Sequence, residues 1–129
     1  MATDIAYSIR RSDRARRVRV VVEPSGSVEV VPRLDEAVDA LGVDYTSVRI
    51  ANQRTRWGSC STTGAMSFNW RLLLGPPQIL DYVVWHEACH LVVMDHSRRF
   101  WSLLARHRPG YRVPQRWLRA NGTALVLPG

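Results

Sequence analysis

The chain has no lysine: all eighteen of its strongly basic side chains are arginine. Its positive charge is therefore carried wholly by guanidinium groups, the side chain suited to bidentate contacts with phosphate and carboxylate. Cysteine is scarce too, and two residues, Cys60 and Cys89, exclude a disulfide framework. No segment is long and apolar enough to span a membrane, and the opening stretch from Met1 to Arg10 holds no apolar run of signal-peptide length. A cytoplasmic protein with reduced thiols and no membrane partner is the expectation. Carboxylates are rare in the second half of the chain, where Asp95 is the only one after Glu87. Internal repeats, linkers and low-complexity tracts are absent.

With 129 residues the chain is expected to form one domain that can bury a core without disulfides or a structural metal. The formal charge of +7 is unevenly spread: six arginines fall between Arg10 and Arg19, and seven follow Asp95 with no acid among them. That distribution favours an anionic substrate or partner over a merely solvated basic surface.

Val18, Val20 and Val22 alternate with Arg19, Val21 and Glu23 before Pro24-Ser25-Gly26-Ser27 and then Val28-Glu29-Val30-Val31. This predicts a β-hairpin over about 17–31, closed by Pro32. Leu34, Val38 and Leu41 share a helical face that ends at Gly42, predicting a short helix. Val48–Ala51 and Met66–Trp70 read as strands, with Met66, Phe68 and Trp70 on one side and Ser67, Asn69 and Arg71 on the other. Between them, the stretch from Arg54 to Ser61 reads as a strand entering a turn. Gly75-Pro76-Pro77 starts a helix that is apolar on most sides and should be buried. Two more helices are expected, one over about Ser97–Arg108, for which Asp95 and Ser97 are both plausible N-caps, and one over about Pro114–Ala120.

The buried helix carries His86-Glu87-Ala88-Cys89-His90, the pattern H-E-x-x-H. Helical residues four apart lie about 40° apart around the axis, so both imidazoles can reach one ion while Glu87 projects beside it. A divalent metal, zinc first, held by neutral histidines acidifies its bound water, and an adjacent carboxylate can take the proton as that water attacks. This is the chemistry of a metal-dependent hydrolase. Such a site needs a third protein ligand, and the scarcity of downstream acids leaves His96, His107 and Asp95. His96 is best placed, because Leu91–Asp95 lets the helix end and the chain reverse, whereas His107 sits among Arg106, Arg108 and Pro109 and reads as solvated. A structural site built from Cys60, Cys89, His86 and His90 is the alternative, although adjacent Cys89 and His90 point about 100° apart on a helix.

These residues together resemble the YgjP-like family of metal-dependent hydrolases, grouped with the SprT and WLM proteins among zincin-like metallopeptidases. The resemblance runs from Tyr45 to Gly122, which sets the metal-site core at about 45–122. It passes through Arg56-Trp57-Gly58-Ser59-Cys60-Ser61, Phe68-Asn69-Trp70-Arg71-Leu72, Pro76-Pro77 and Leu80-Asp81-Tyr82-Val83-Val84. Beyond the metal motif it includes His96-Ser97-Arg98-Arg99-Phe100-Trp101, Pro109-Gly110-Tyr111 and Trp117-Leu118. The resemblance implies an α+β, zincin-like fold, with a small mixed or antiparallel sheet on the H-E-x-x-H helix and two further C-terminal helices. It implies His86, His90 and His96 as ligands of Zn2+ or another divalent metal, and Glu87 as the catalytic residue. It also implies either peptidase-like action or pyrophosphate hydrolysis of a nucleoside triphosphate such as UTP.

A peptide substrate could add to an edge strand such as Met66–Trp70, whereas a nucleotide needs arginines at the metal mouth. Arg56, Asn69, Arg71, Arg98, Arg99 and Tyr111 are the candidate substrate-binding residues, with Tyr111 or an arginine facing the developing oxyanion. A nucleic-acid-binding module, in which the arginines and Trp57, Trp101 and Trp117 contact phosphates and bases, is the competing class. A protease acting on DNA-bound proteins, as SprT-like relatives do, would combine the two. The sequence does not specify an oligomeric state.

Overall fold

A computed structural model describes residues 9–11, 18–22, 27–53 and 56–124. Strand β1 (Ile9–Arg11) pairs antiparallel with β2 (Val18–Val22), which runs parallel to β3 (Ser47–Ala51). Strand β4 (Gly58–Cys60) pairs antiparallel with β5 (Ala65–Asn69), and β5 runs parallel to β3, giving a mixed sheet of order β1-β2-β3-β5-β4. Val48 and Ile50 are buried while Arg49 between them is exposed, the period of a strand with one face on a core. The register sets Val48 beside Met66 and Ile50 beside Phe68, so these four side chains form a continuous apolar surface.

The fold corrects the expected hairpin. The turn at 24–26 lies outside the described residues, but Val28–Val31 is not a strand: it belongs to helix α1 (Ser27–Leu41), and β2 finds its partners in β1 and β3. Val30, Leu34, Ala37 and Val38 recur at helical spacing and are each at most 1% exposed. Pro32 cannot donate to the carbonyl four residues earlier. Burying that face, at about 1.5–3 kcal/mol for each large side chain, offsets the loss. The helix ends where expected, at Gly42, whose φ of 72° is readily adopted only without a Cβ. The buried Tyr45 then ties the following loop back to α1, its hydroxyl donating to Asp35 at 2.8 Å.

Helix α2 (Pro77–Cys89) starts on prolines at its N-cap and first position and is buried on most sides, as predicted. It packs against α1, β4, α3 (Arg98–His107) and α4 (Arg112–Asn121), so every other α-helix among the described residues meets it. The Arg108 guanidinium joins the end of α3 to α2 through two bonds to Asp81, at 2.7 and 3.1 Å, and lies 4.5 Å from the Trp85 ring centre. His107 is half-buried and stacks on Trp85 rather than standing free in solvent. Among the described residues, no helix is long and apolar enough to cross a membrane.

The helical reading of 27–41 sets the cost of truncation along it. Leu34→Ala should lower the unfolding free energy by about 2–5 kcal/mol in urea titration, whereas half-buried Val31→Ala should cost less than half as much. Equal losses would contradict the helical face.

Candidate metal centre

The last turn of α2 does two things at once. His86 and Glu87 sit within the helix, and His90 follows as its C-cap, where the chain turns out of the helix. The backbone N–H groups of Leu91, Val92 and Val93 still donate to the carbonyls of Ala88 and Cys89, so the reversal is tight and returns His96 to the helix end. Nε2 of His96 lies 3.2 Å from Nε2 of His86 and 3.1 Å from Nε2 of His90. Phe100, fully buried in α3, forms the floor beneath the three rings, at centroid distances of 4.9 Å to His86, 4.4 Å to His90 and 5.0 Å to His96. Trp101 stacks on His96 from the outer side at 5.7 Å.

This donor set fits a divalent cation. His90 Nδ1 faces the Val93 carbonyl at 3.0 Å, which requires the proton on Nδ1 and leaves a lone pair on Nε2. A single proton on His96 Nε2 could serve only one of its two neighbours, whereas a cation serves all three nitrogens. Tetrahedral nitrogen ligands at the usual zinc distance stand about 3.3 Å apart, close to the separations observed. Burial, reinforced by the neighbouring rings of His90 and His96, pulls the His86 pKa down to about 3, and burial lowers that of His90 as well. Both imidazoles are therefore neutral at physiological pH, the form that ligates a metal.

The cysteine alternative is not formed. Among the described residues, the potential ligands that gather are His86, His90 and His96, with neither cysteine among them. Burial pushes both thiols up to about 12, against the thiolate form that a metal takes.

Glu87 is 8% exposed, and with His86 it lines a cleft of about 320 Å³ bounded by Trp57, Tyr82, Gln115, Leu118 and Arg119. Burial pushes its carboxyl up to about 7, against the opposing pull of the Arg56 charge. Gly58 explains how Glu87 fits beside the sheet. In the register Gly58 faces Phe68, on the side of the sheet that α2 covers. A Cβ there would stand 3.0 Å from Glu87 Cγ and 3.2 Å from both Val83 Cγ1 and the Ser67 carbonyl. The close approach of α2 to β4 therefore leaves little room for a side chain there.

The predicted substrate-binding residues separate into groups. Arg56, Asn69 and Arg71 line a recess of about 210 Å³ that shares Trp57, Leu118 and Arg119 with the Glu87 cleft. Asn69 also holds that wall together: its amide donates to the Gln53 and Arg56 carbonyls at 2.8 and 3.1 Å, and its Oδ1 accepts from the Arg71 N–H at 3.0 Å. Arg98 and Tyr111 line a different recess with Trp101, Arg112 and Gln115. Arg99 lies with Arg98 along a groove between Val92 and Arg106. Tyr111 is buried, its ring stacked on Trp101 at 5.4 Å and its hydroxyl accepting from Arg112 Nε at 3.4 Å. Of the N-terminal arginines, Arg14, Arg16 and Arg17 lie outside the described residues.

The expected edge strand also changes. Strand β5 is enclosed between β3 and β4, and the edge beside α2 is β4. Sequence reading passed over Tyr82, Gln115 and Arg119. Spacing held a signal for each: Tyr82 stands four residues before His86, with its hydroxyl 3.4 Å from His86 Nδ1, and Gln115 and Arg119 lie four apart on α4.

Comparison with known proteins agrees with this architecture. The model of the YgjP-like family, described as a metallopeptidase domain, matches residues 10–121. A crystal structure of the metallopeptidase zymogen of Pyrococcus abyssi abylysin is similar over 70% of this chain and 93% of that one, at 24% identity and a TM-score of 0.62. At that identity the likeness establishes a shared α+β fold. No curated protein matches the chain. With the family match spanning the sheet, the histidine cluster and the C-terminal helices, the chain belongs to the YgjP-like metallopeptidase domain family.

Proposed function

We propose that the protein is a zinc-dependent hydrolase that cleaves peptide bonds, with His86, His90 and His96 holding the metal and Glu87 as general base. The observation that carries this reading is the convergence of the three Nε2 atoms, one of them on His86, which lines a cleft together with Glu87. A bound divalent ion polarises a scissile carbonyl and makes water acidic enough to ionise near neutral pH. Three imidazole ligands suit zinc, and the free thiols of Cys60 and Cys89 suit a reducing, cytoplasmic setting.

Glu87 accepts the proton of the attacking water and delivers it to the leaving amine. Its burial between Gly58 and Val83 keeps the carboxyl in one place, so little reorganisation accompanies proton transfer. Strand β4, the edge beside α2, offers backbone groups to an extended substrate, in place of the Met66–Trp70 segment. Tyr82 steadies His86 from Nδ1. Tyr82 on the cleft wall is better placed than Tyr111 to meet an oxyanion. Hydrolysis of a nucleoside triphosphate at the same centre is the second reading, favoured by the arginines around the adjoining recess. A pure nucleic-acid-binding role has less support, because Trp101 and Trp117 pack against the core.

Metal analysis combined with hydrolysis of a casein-derived peptide pool and of UTP tests these readings. Glu87→Gln should retain stoichiometric metal while peptide turnover falls by about 10²–10⁴-fold; unchanged turnover would end the general-base role. His96→Ala should lose most of its metal in dialysis, and full retention would remove His96 from the ligand set. Gly58→Ala should keep the metal but lower kcat by about 10–10²-fold through displacement of the carboxylate, and wild-type kcat would show that the Gly58 contact is immaterial.

A further inference from the structure

We infer that the recess between Trp57 and the end of α4 is a subsite for a carboxylate of the peptide substrate. This rests on the metallopeptidase reading above and adds a specificity to it. The recess is lined by Arg56, Arg71 and Arg119, and among the described residues no carboxylate lines it. Among the described residues, the ion pairs are Arg33 with Glu29 and Arg108 with Asp81, so none of these three arginines is paired. Three arginines around about 210 Å³ concentrate positive charge there, and an anion seated among them is favoured by that charge.

The recess is also built in advance. Arg71 donates from one terminal nitrogen to the Gln53 carbonyl at 2.5 Å and from Nε to Asn69 Oδ1 at 3.4 Å, and its guanidinium lies 5.6 Å from the Trp57 ring centre. Asn69, 2% exposed, is fixed in turn by the Gln53 and Arg56 carbonyls. A guanidinium held in this way loses little freedom when it binds. Gly122 completes the wall: a Cβ there would stand 2.8 Å from Trp57 Cζ2, so the glycine lets the end of α4 close on the indole.

Position connects the recess to the reaction. Trp57, Leu118 and Arg119 line both this recess and the cleft that holds His86 and Glu87. A substrate whose scissile bond lies at Glu87 therefore has a neighbouring part within reach of the arginines. Peptides carry carboxylates on Asp and Glu side chains and at the C-terminus, and either fits a guanidinium fork. The two sources give different position signatures.

The test uses the zinc-loaded full chain and a proteome-derived peptide library, with cleaved products sequenced by mass spectrometry. One position at a fixed distance from the cut should be enriched about tenfold in Asp and Glu, or in free C-termini, over its background frequency. Acidic side chains at internal positions identify a side-chain subsite, and a constant distance to the chain end identifies a terminal one. Arg119→Gln should bring the enrichment close to unity, and Arg119→Glu should shift the preference towards Arg and Lys, a reversal that a merely structural role would not produce. Cleavage with no acidic or terminal preference, or a preference unmoved by Arg119→Glu, would overturn the subsite and leave the peptidase reading standing. Absence of any peptide cleavage would instead overturn the peptidase reading.

The subsite has an independent readout in equilibrium titration, followed by tryptophan fluorescence, with an acetylated Ala-Glu-Ala amide, its Gln analogue, acetylated Ala-Ala-Ala with a free C-terminus, and UTP. Tighter binding of either carboxylate-bearing peptide than of the Gln amide, lost in Arg119→Glu, supports the assignment. Binding no tighter than that of the Gln amide, or Arg119-dependent binding of UTP that exceeds that of both carboxylate peptides, overturns it.

Discussion

Three imidazole nitrogens stand 3.1–3.2 Å apart in a pair of contacts that a single proton cannot satisfy, and much of the structure serves to hold them there. The arrangement needs two histidines on one helical face, a helix that ends at once after the second, and a loop short enough to return the third. It also needs a floor. Phe100 supplies one by touching all three rings, and its complete burial ties the site to the packing of α3 on α2. Desolvation keeps the His86 and His90 imidazoles neutral, so the packing that positions these two donors also sets their protonation state.

The same packing places a carboxyl where carboxyls are rarely found. Glu87 lies under strand β4 because Gly58 leaves room for it, and the remaining space is shared with Val83. An apolar enclosure raises its proton affinity, while Arg56 at the open side acts in the opposite direction. The cleft is thus asymmetric. Part of its wall is Tyr82, Val83 and Leu118, whereas through Trp57 it adjoins a recess lined by Arg56, Arg71 and Arg119. This asymmetry gives the basic composition of the chain a local meaning that net charge alone does not have.

Much of the centre was legible because its signals are local. The H-E-x-x-H spacing depends on helical geometry alone, and the lack of acids after Asp95 narrowed the third donor to a few residues. The helix boundaries at Pro76-Pro77 and Gly42 follow from backbone chemistry that acts over one or two residues. The misread segment, Val28–Val31, shows where local reasoning fails. Valines alternating with polar residues favour a strand, and only the burial of Val30 in line with Leu34 and Val38 makes the helix the better state. The role of Met66–Trp70 was misplaced for a related reason: a strand's own sequence does not tell whether another strand will cover its edge, and β4 covers this one.

By itself the sequence determined the H-E-x-x-H spacing, the helix that carries it and the family to which the chain belongs, since each follows from residue identity at short spacing. The tertiary structure decided which arginines matter together. Arg56, Arg71 and Arg119 lie far apart in the chain and meet only because α4 closes on Trp57 across Gly122, while Arg98 and Arg99, adjacent to His96 in sequence, line other surfaces. The pairing of His86 with His90 is written in helical periodicity, which is a property of the local chain. Charge convergence depends on how distant elements pack, and no local pattern encodes it.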